Sequence, residues 1–352
     1  MPRFDRRRLL TAGPAVLAGL TFTGIGRSAP AASAPPTVGY RVLSDLTYAA
    51  PAGRGHLLDL YLPTGQSGPC PVILYTAGSA FRSDDTKSGE SGVAAVPGSP
   101  TGLGGLTSAA RLAAMWAPHG YAVAGVNVRS SAEGTFPAQL HDIKAAIRYL
   151  RAHAGSYGLD TGRFATMGTS SGGWVAAMAG VTAGIAHLEG DLGNPDQSSA
   201  VNAVIDLFGP TDFLQMDAHR LSDGQIHDAP DSPESQLMGF PLQSDPVAVA
   251  RANPAAYVNP QSPPIFITHG TSDPLVPFNQ SEILFGAYRE AGATATLVLV
   301  PGAVHTDSYL TSAAASAGRV VMHTSGGVVT TGSEPPPTYE ALLGFLDAQL
   351  RA

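Results

Sequence analysis

Cysteine occurs once in this 352-residue chain, at Cys70, so no disulfide can form within it. No Cys or His residues show the spacing of a metal site. Long unbroken apolar runs are missing too. The longest, from Leu9 to about Ile25, is interrupted by Gly13, Pro14, Gly19 and Gly24. It barely reaches the roughly 18–20 residues a membrane span needs. Positive charge is short as well, with a net charge of −7. An acidic surface argues against nucleic acid and anionic membranes as partners. No internal repeat is evident.

The first positive signal lies at the start. "RFDRRRLLTAGPAVLAGLTFTGIGRSAPAASA" has a basic beginning, an apolar middle and small residues ending in Ala32-Ser33-Ala34. That pattern predicts an export signal over residues 1–34, cleaved at an A-x-A-like site. "DRRRLL", with Arg6 and Arg7 as the pair, resembles the twin-arginine type. This segment holds five arginines against one aspartate, so its removal leaves 318 residues with a net charge of −11. A chain of that length suits one large α/β domain, expected over 40–352. Export by the twin-arginine route also fits a single cysteine, because the protein folds before it crosses. Cys70 itself reads as a passive packing residue beside prolines.

From Tyr40 onward, strand-like and helix-like segments alternate. An alternating strand is expected at 56–63, buried strands at 71–78 and 121–128, and further strands at 163–168, 201–209, 264–270 and 294–302. Helices are expected at 108–120, 137–158, 281–292 and 339–350, and another after Gly172. In 137–158, Ile143, Ala146, Ile147 and Leu150 share one face. Buried strands alternating with helices predict a mostly parallel sheet covered on both faces. Three irregular stretches, 82–106, 213–262 and 306–337, exceed ordinary loop length. In such sheets ligands bind at the carboxyl ends of the strands, where long loops would shape a pocket.

Between the strand "RFATM" and the helix "GWVAAMAGVTAG" stands Gly168-Thr169-Ser170-Ser171-Gly172. This is G-x-S-x-G in the strand–turn–helix setting of a nucleophile elbow. Only Ser170 has glycine at both −2 and +2, so Ser170 is the expected nucleophile. Ser171 follows it, and its backbone N–H can face an oxyanion. A serine hydroxyl needs a base, and the base needs an orienting acid. In this elbow setting they should follow in the chain order acid, then histidine. Asp273 lies just past the strand 264–270 and His305 just past 294–302. His269 is a rival base, and Asp212 and Asp307 are rival acids.

With these residues in place, the chain resembles the α/β-hydrolases, and within them secreted bacterial feruloyl and acetylxylan esterases. The resemblance rests on "FPAQLHDIKAAIRYLRAHAGSYGLDTGRFATMGTSSGG", "VIDLFGPTDF" and "PPIFITHGTSDPLVPFNQSEIL". Such esterases carry a His-Gly-Gly-Gly-aromatic oxyanion loop after the first apolar strand. Here "YTAGSAF" puts Ala77 in the histidine's place, then Gly78, Ser79, Ala80 and Phe81. The resemblance implies oxyanion donors at the Ser79, Ala80 and Ser171 N–H groups. It also implies hydrolysis of small-acyl or aryl carboxylic esters through an acyl-serine, without cofactor or metal. The expected partner is a small-molecule ester, plant-wall carbohydrate esters among them, met outside the cell. Between His305 and the last helix this chain carries an insert with the hairpin-like "GRVVMHTSGGVVTTG", which is expected to rim the pocket. Two alternatives share these features: a compact prolyl-oligopeptidase-like peptidase, and a binding protein without activity on the same fold. The polar loops disfavour a long-chain lipase.

Overall fold

The computed structural model describes residues 39–51, 53–89 and 106–351. The export segment expected over 1–34 lies outside the described residues. Ten strands form one sheet: β1 (Tyr40–Thr47), β2 (Leu57–Pro63), β3 (Cys70–Thr76), β4 (Ala122–Val126), β5 (Leu159–Thr169), β6 (Ala203–Leu207), β7 (Ile265–Gly270), β8 (Ala295–Val300), β9 (Val320–Ser325) and β10 (Val328–Gly332). Their order across the sheet is β1-β2-β4-β3-β5-β6-β7-β8-β9-β10. From β4 to β8 every pair is parallel. The two outer pairs on each side are antiparallel.

The central strands are apolar at nearly every position because both faces are covered. Val72 and Leu74 of β3 pack with the helices Ala138–Ala152 and Ser171–Val181 on one face. Ile73 and Tyr75 pack with Ala109–Trp116 and Tyr339–Leu350 on the other. These helices fall in segments expected to be helical, but the expected 137–158 helix ends at Ala152 and a separate turn spans Ala154–Tyr157, while the expected 108–120 helix ends at Trp116. The hairpin expected in the insert is also present, as β9 and β10. It continues the sheet beyond β8 and covers that strand's edge, so its backbone groups are satisfied by pairing. Cys70 opens β3, buried, with burial pushing its thiol up, in keeping with a packing role. Among the described residues no helix is long and apolar enough to cross a membrane.

The helix Ala138–Ala152 differs from its expected amphipathic form. Ile143, Ala146, Ile147 and Leu150 are buried as expected, but so are Lys144 and Arg148. Glu189, some forty residues on, accounts for this. It meets Lys144 Nζ at 2.9 Å and Arg148 Nη1 at 3.0 Å. A buried cation needs such a partner, since desolvation otherwise costs several kcal/mol.

Asp206 on β6 is fully buried near the start of the helix Ser171–Val181. Its Oδ1 accepts from the Gly209 N–H at 2.9 Å, and its Oδ2 has no partner among the described residues. Burial, only partly opposed by that hydrogen bond, raises its pKa to about 7 from an ordinary 3.8. The folded state therefore holds a proton that the unfolded state has released. The stability this gives is full below about pH 4 and is lost as pH rises through about 7, amounting to about 4 kcal/mol. Asp206→Asn mimics the protonated acid. Urea unfolding should find the variant close to the parent at pH 4.5 and more stable by up to that amount at pH 8.5. Parallel pH profiles for the two proteins would contradict it.

Candidate active site

The site is assembled at the carboxyl ends of β5, β7 and β8. β5 ends at Thr169, and Ser170 turns the chain into the next helix with φ +54° and ψ −126°. That conformation is strained for a residue with a Cβ and persists only where the surroundings impose it. Here the Ser170 N–H is fixed to the Leu207 carbonyl at 2.8 Å. The flanking glycines are required by contact distance. A Cβ on Gly168 would lie 2.1 Å from the Gly172 carbonyl oxygen, and one on Gly172 would lie 2.0 Å from that of Thr76.

The three residues singled out for catalysis come together. Ser170 Oγ lies 2.9 Å from His305 Nε2, and His305 Nδ1 lies 2.6 Å from Asp273 Oδ2. A carboxylate only accepts, so Nδ1 carries the proton and Nε2 is free to accept from the serine hydroxyl. Phe208 packs edge-on against the His305 ring, with centroids 4.7 Å apart. Asp273 is buried, and its Oδ1 accepts from the Leu275 and Val276 N–H groups at 2.8 and 2.9 Å. Burial pushes its carboxyl up, but the two adjacent imidazoles, His305 and His269, outweigh that and hold it well below the usual range.

The rivals have other places. His269 is not in reach of Ser170. Its Nε2 faces Asp273 Oδ2 at 3.2 Å and the Val276 carbonyl at 2.9 Å, so it acts as a second donor to the acid. Asp307 accepts the Leu106 and Thr107 N–H groups at 2.5 and 2.7 Å and pins that segment. Asp212 caps a short 3₁₀ turn through the Leu214 N–H.

The oxyanion loop requires one correction. The Ser79 N–H, expected to face the oxyanion, instead donates to Ser171 Oγ at 2.8 Å. Next to it the Gly78 N–H donates to Thr169 Oγ1 at 2.9 Å. The two hydroxyl residues flanking Ser170 thus anchor the loop in a chain with Ala77 where a histidine would stand. Ala80 follows with φ +51°, and its N–H has no hydrogen bond among the described residues. Ser171 opens its helix, so its N–H has no partner within that helix. Ala80 and Ser171 both line the cavity over Ser170, which leaves two donors where three were expected.

That cavity has about 480 Å³ of open space, its mouth included. Phe81, Pro210, Leu275 and Val276 give it apolar walls, and Arg82, Gln225 and Glu234 supply polar groups. No residue of 312–334 lines it, so the insert does not rim the pocket; strand pairing carries it to the sheet edge instead. Among the described residues no cluster of three His, Cys, Asp or Glu side chains is placed to hold a metal ion.

Residues 103–288, more than half of the chain, match the family model BD-FAE. The chain belongs to the BD-FAE family. The matched region includes Ser170 and Asp273 and stops short of His305. Similar proteins include the esterase LipQ of Mycobacterium tuberculosis, 28% identical over 268 residues, covering 74% of this chain and 56% of LipQ. The chain spans about half the length of the curated relatives it matches. Among solved structures, a truncated carbohydrate esterase from gut microbiota is 29% identical with a TM-score of 0.70, covering 90% of this chain and 99% of that one. A bifunctional GH43-CE protein of Bacteroides eggerthii is also 29% identical, with a TM-score of 0.69, over 88% of this chain and 38% of that one. These likenesses agree with the sheet order: the fold is that of the α/β-hydrolases.

Proposed function

We propose that this BD-FAE family member is an exported serine carboxylesterase that acts on small-acyl or aryl esters through an acyl-serine. The observation that carries the reading is the continuous relay Ser170–His305–Asp273 beneath an open cavity. His305 Nε2 takes the hydroxyl proton as Ser170 Oγ attacks the ester carbonyl carbon. Asp273 holds the imidazole in the required tautomer and stabilises its charged form. The Ala80 and Ser171 N–H groups hold the developing oxyanion. His305 returns the proton to the leaving alcohol, and water then releases the acid through the same base. The names of the similar proteins, LipQ an esterase and the gut protein a carbohydrate esterase, support ester hydrolysis with sugar esters among the substrates. Export rests on the basic start, apolar run and Ala32-Ser33-Ala34 of the sequence.

The test pairs turnover with labelling. The protein should hydrolyse p-nitrophenyl acetate, and an alkyl p-nitrophenyl phosphonate should stop turnover while adding one phosphonyl mass to the peptide that contains Ser170. Inactivity towards every ester tried, with no label, would defeat the reading and favour the binding-protein alternative.

The loop geometry gives a second expectation. Ser171→Ala removes the acceptor of the Ser79 N–H and frees the loop that presents the Ala80 donor. Turnover of p-nitrophenyl acetate should fall by about 10–10²-fold in kcat, short of the 10²–10³ that follows outright loss of a donor. Thr169→Val should act in the same direction through Gly78. An unchanged kcat in both variants would mean that the loop holds its position without these hydroxyls.

A further inference from the structure

The cavity wall facing Ser170 contains a charged side chain that the hydrolytic relay does not use. Glu234 lies on the short helix Pro233–Met238, is only 4% exposed, and lines the cavity together with Ser170 and His305. One carboxylate oxygen, Oε2, is held at 2.9 Å by Nδ1 of His227, which is itself 1% exposed. The other oxygen, Oε1, accepts no hydrogen bond among the described residues, and the residue lines the cavity. A carboxylate oxygen with no donor within the protein is free to accept one from a ligand hydroxyl.

The support behind Glu234 is rigid. Asp217 clamps the loop that carries His227, its two oxygens accepting the His227 and Asp228 N–H groups at 2.8 and 2.9 Å. Burial works against a charged His227. Glu234, Asp217 and the Leu275 carbonyl together outweigh it, and the imidazole's pKa is raised. The raised pKa favours the protonated imidazole, whose charge is opposite to that of the carboxylate it holds. Arg82, at the same mouth, is committed elsewhere: its Nε donates to Gln236 Oε1 at 2.9 Å and its Nη2 to the Asp231 carbonyl at 2.6 Å. Gln225 adds an amide that can both donate and accept. A fixed carboxylate beside an amide, with Arg82 held by Gln236 and Asp231, matches a polyhydroxylated ligand.

We propose that Glu234, held by His227, is a hydroxyl-accepting subsite that selects esters whose alcohol half carries free hydroxyl groups. The proposal rests on the esterase reading and adds to it the residue that sets the choice of alcohol. Once the ester is seated on Ser170, a neighbouring hydroxyl donates to the free Glu234 oxygen. An ester without that hydroxyl leaves the oxygen unpaired, and such sites discriminate strongly.

The experiment compares a mono-acetylated methyl xyloside with cyclohexyl acetate, an ester with a six-membered ring and no hydroxyl. The readout is the ratio of their kcat/KM values in the parent and in Glu234→Gln, whose fold is checked by circular dichroism. The parent should favour the sugar ester, and the variant's ratio should fall about tenfold or more, the order expected for one lost charge-assisted hydrogen bond. A ratio within twofold of the parent's would overturn the subsite. So would a parent that prefers acetylcholine to both, since the carboxylate would then be reading a cation. If Glu234→Gln does not fold, the parent alone decides. Methyl xyloside should inhibit p-nitrophenyl acetate hydrolysis at least tenfold more tightly than cyclohexanol, and equal inhibition would overturn the proposal. A parent inert to p-nitrophenyl acetate would sink the esterase reading itself, whereas an active parent with an unchanged ratio sinks only the subsite.

Discussion

Ser170→Ala should lower kcat/KM on p-nitrophenyl acetate by about 10⁴–10⁶-fold without unfolding the protein. The size of the loss follows from what the hydroxyl does. It is the only atom of the relay that bonds to the substrate, and the neighbouring hydroxyl cannot take over. Ser171 Oγ is already an acceptor for the Ser79 N–H, and the His305 Nε2 lone pair points at Ser170 Oγ. The fold should survive, because alanine keeps the Cβ that the strained φ of +54° already tolerates and the backbone bond to Leu207 remains. Thermal unfolding and circular dichroism close to the parent's would secure the comparison. Residual activity within 100-fold of the parent would place the nucleophile elsewhere, and a dead Ser171→Ala beside an active Ser170→Ala would identify Ser171.

The elbow could be read from the sequence because its demands are local. A turn this tight needs glycine at 168 and 172, and the serine between them is marked by spacing alone. Asp273 and His305 were legible for a related reason: each follows an apolar strand of a parallel sheet, and parallel strands bring their carboxyl ends to one edge. What the sequence hid depends on contacts between distant segments. The bonds from Gly78 to Thr169 and from Ser79 to Ser171 cross about ninety residues, and nothing in "YTAGSAF" announces which N–H is already used. The hairpin in the insert was legible from its alternation, but not its destination, because pairing with β8 is set by which sheet edge is open. The burial of Lys144 and Arg148 depends on Glu189, some forty residues away in the chain. Glu234 and His227 lie in the stretch 213–262, where no periodicity separates a pocket wall from an ordinary loop.

Asp273→Asn should reduce kcat/KM by about 10⁴-fold, the order seen when a triad acid becomes an amide. The hydrogen bonds around Asp273 explain why the amide cannot find a harmless orientation. On one side stand two backbone donors, the Leu275 and Val276 N–H groups, both directed at Oδ1. An asparagine must turn its carbonyl oxygen to them, because an NH₂ group there would leave both donors without an acceptor in a buried site. The amide NH₂ then replaces Oδ2 and faces the two histidines. His269 can yield, since its Nε2 proton still has the Val276 carbonyl at 2.9 Å. His305 has no such choice. Its Nδ1 must become an acceptor of the amide, which moves the imidazole proton to Nε2, opposite Ser170 Oγ. A donor in that position cannot take the serine proton, so attack fails although every heavy atom keeps its place. The variant should fold, bind substrate with little change in KM, and react with the phosphonate far more slowly than the parent. The loss should also be larger than for His269→Asn, which removes one donor to the acid and leaves the His305 tautomer intact. If Asp273→Asn kept activity within tenfold of the parent, the acid of the relay would have to be sought elsewhere, with Asp307 the first alternative.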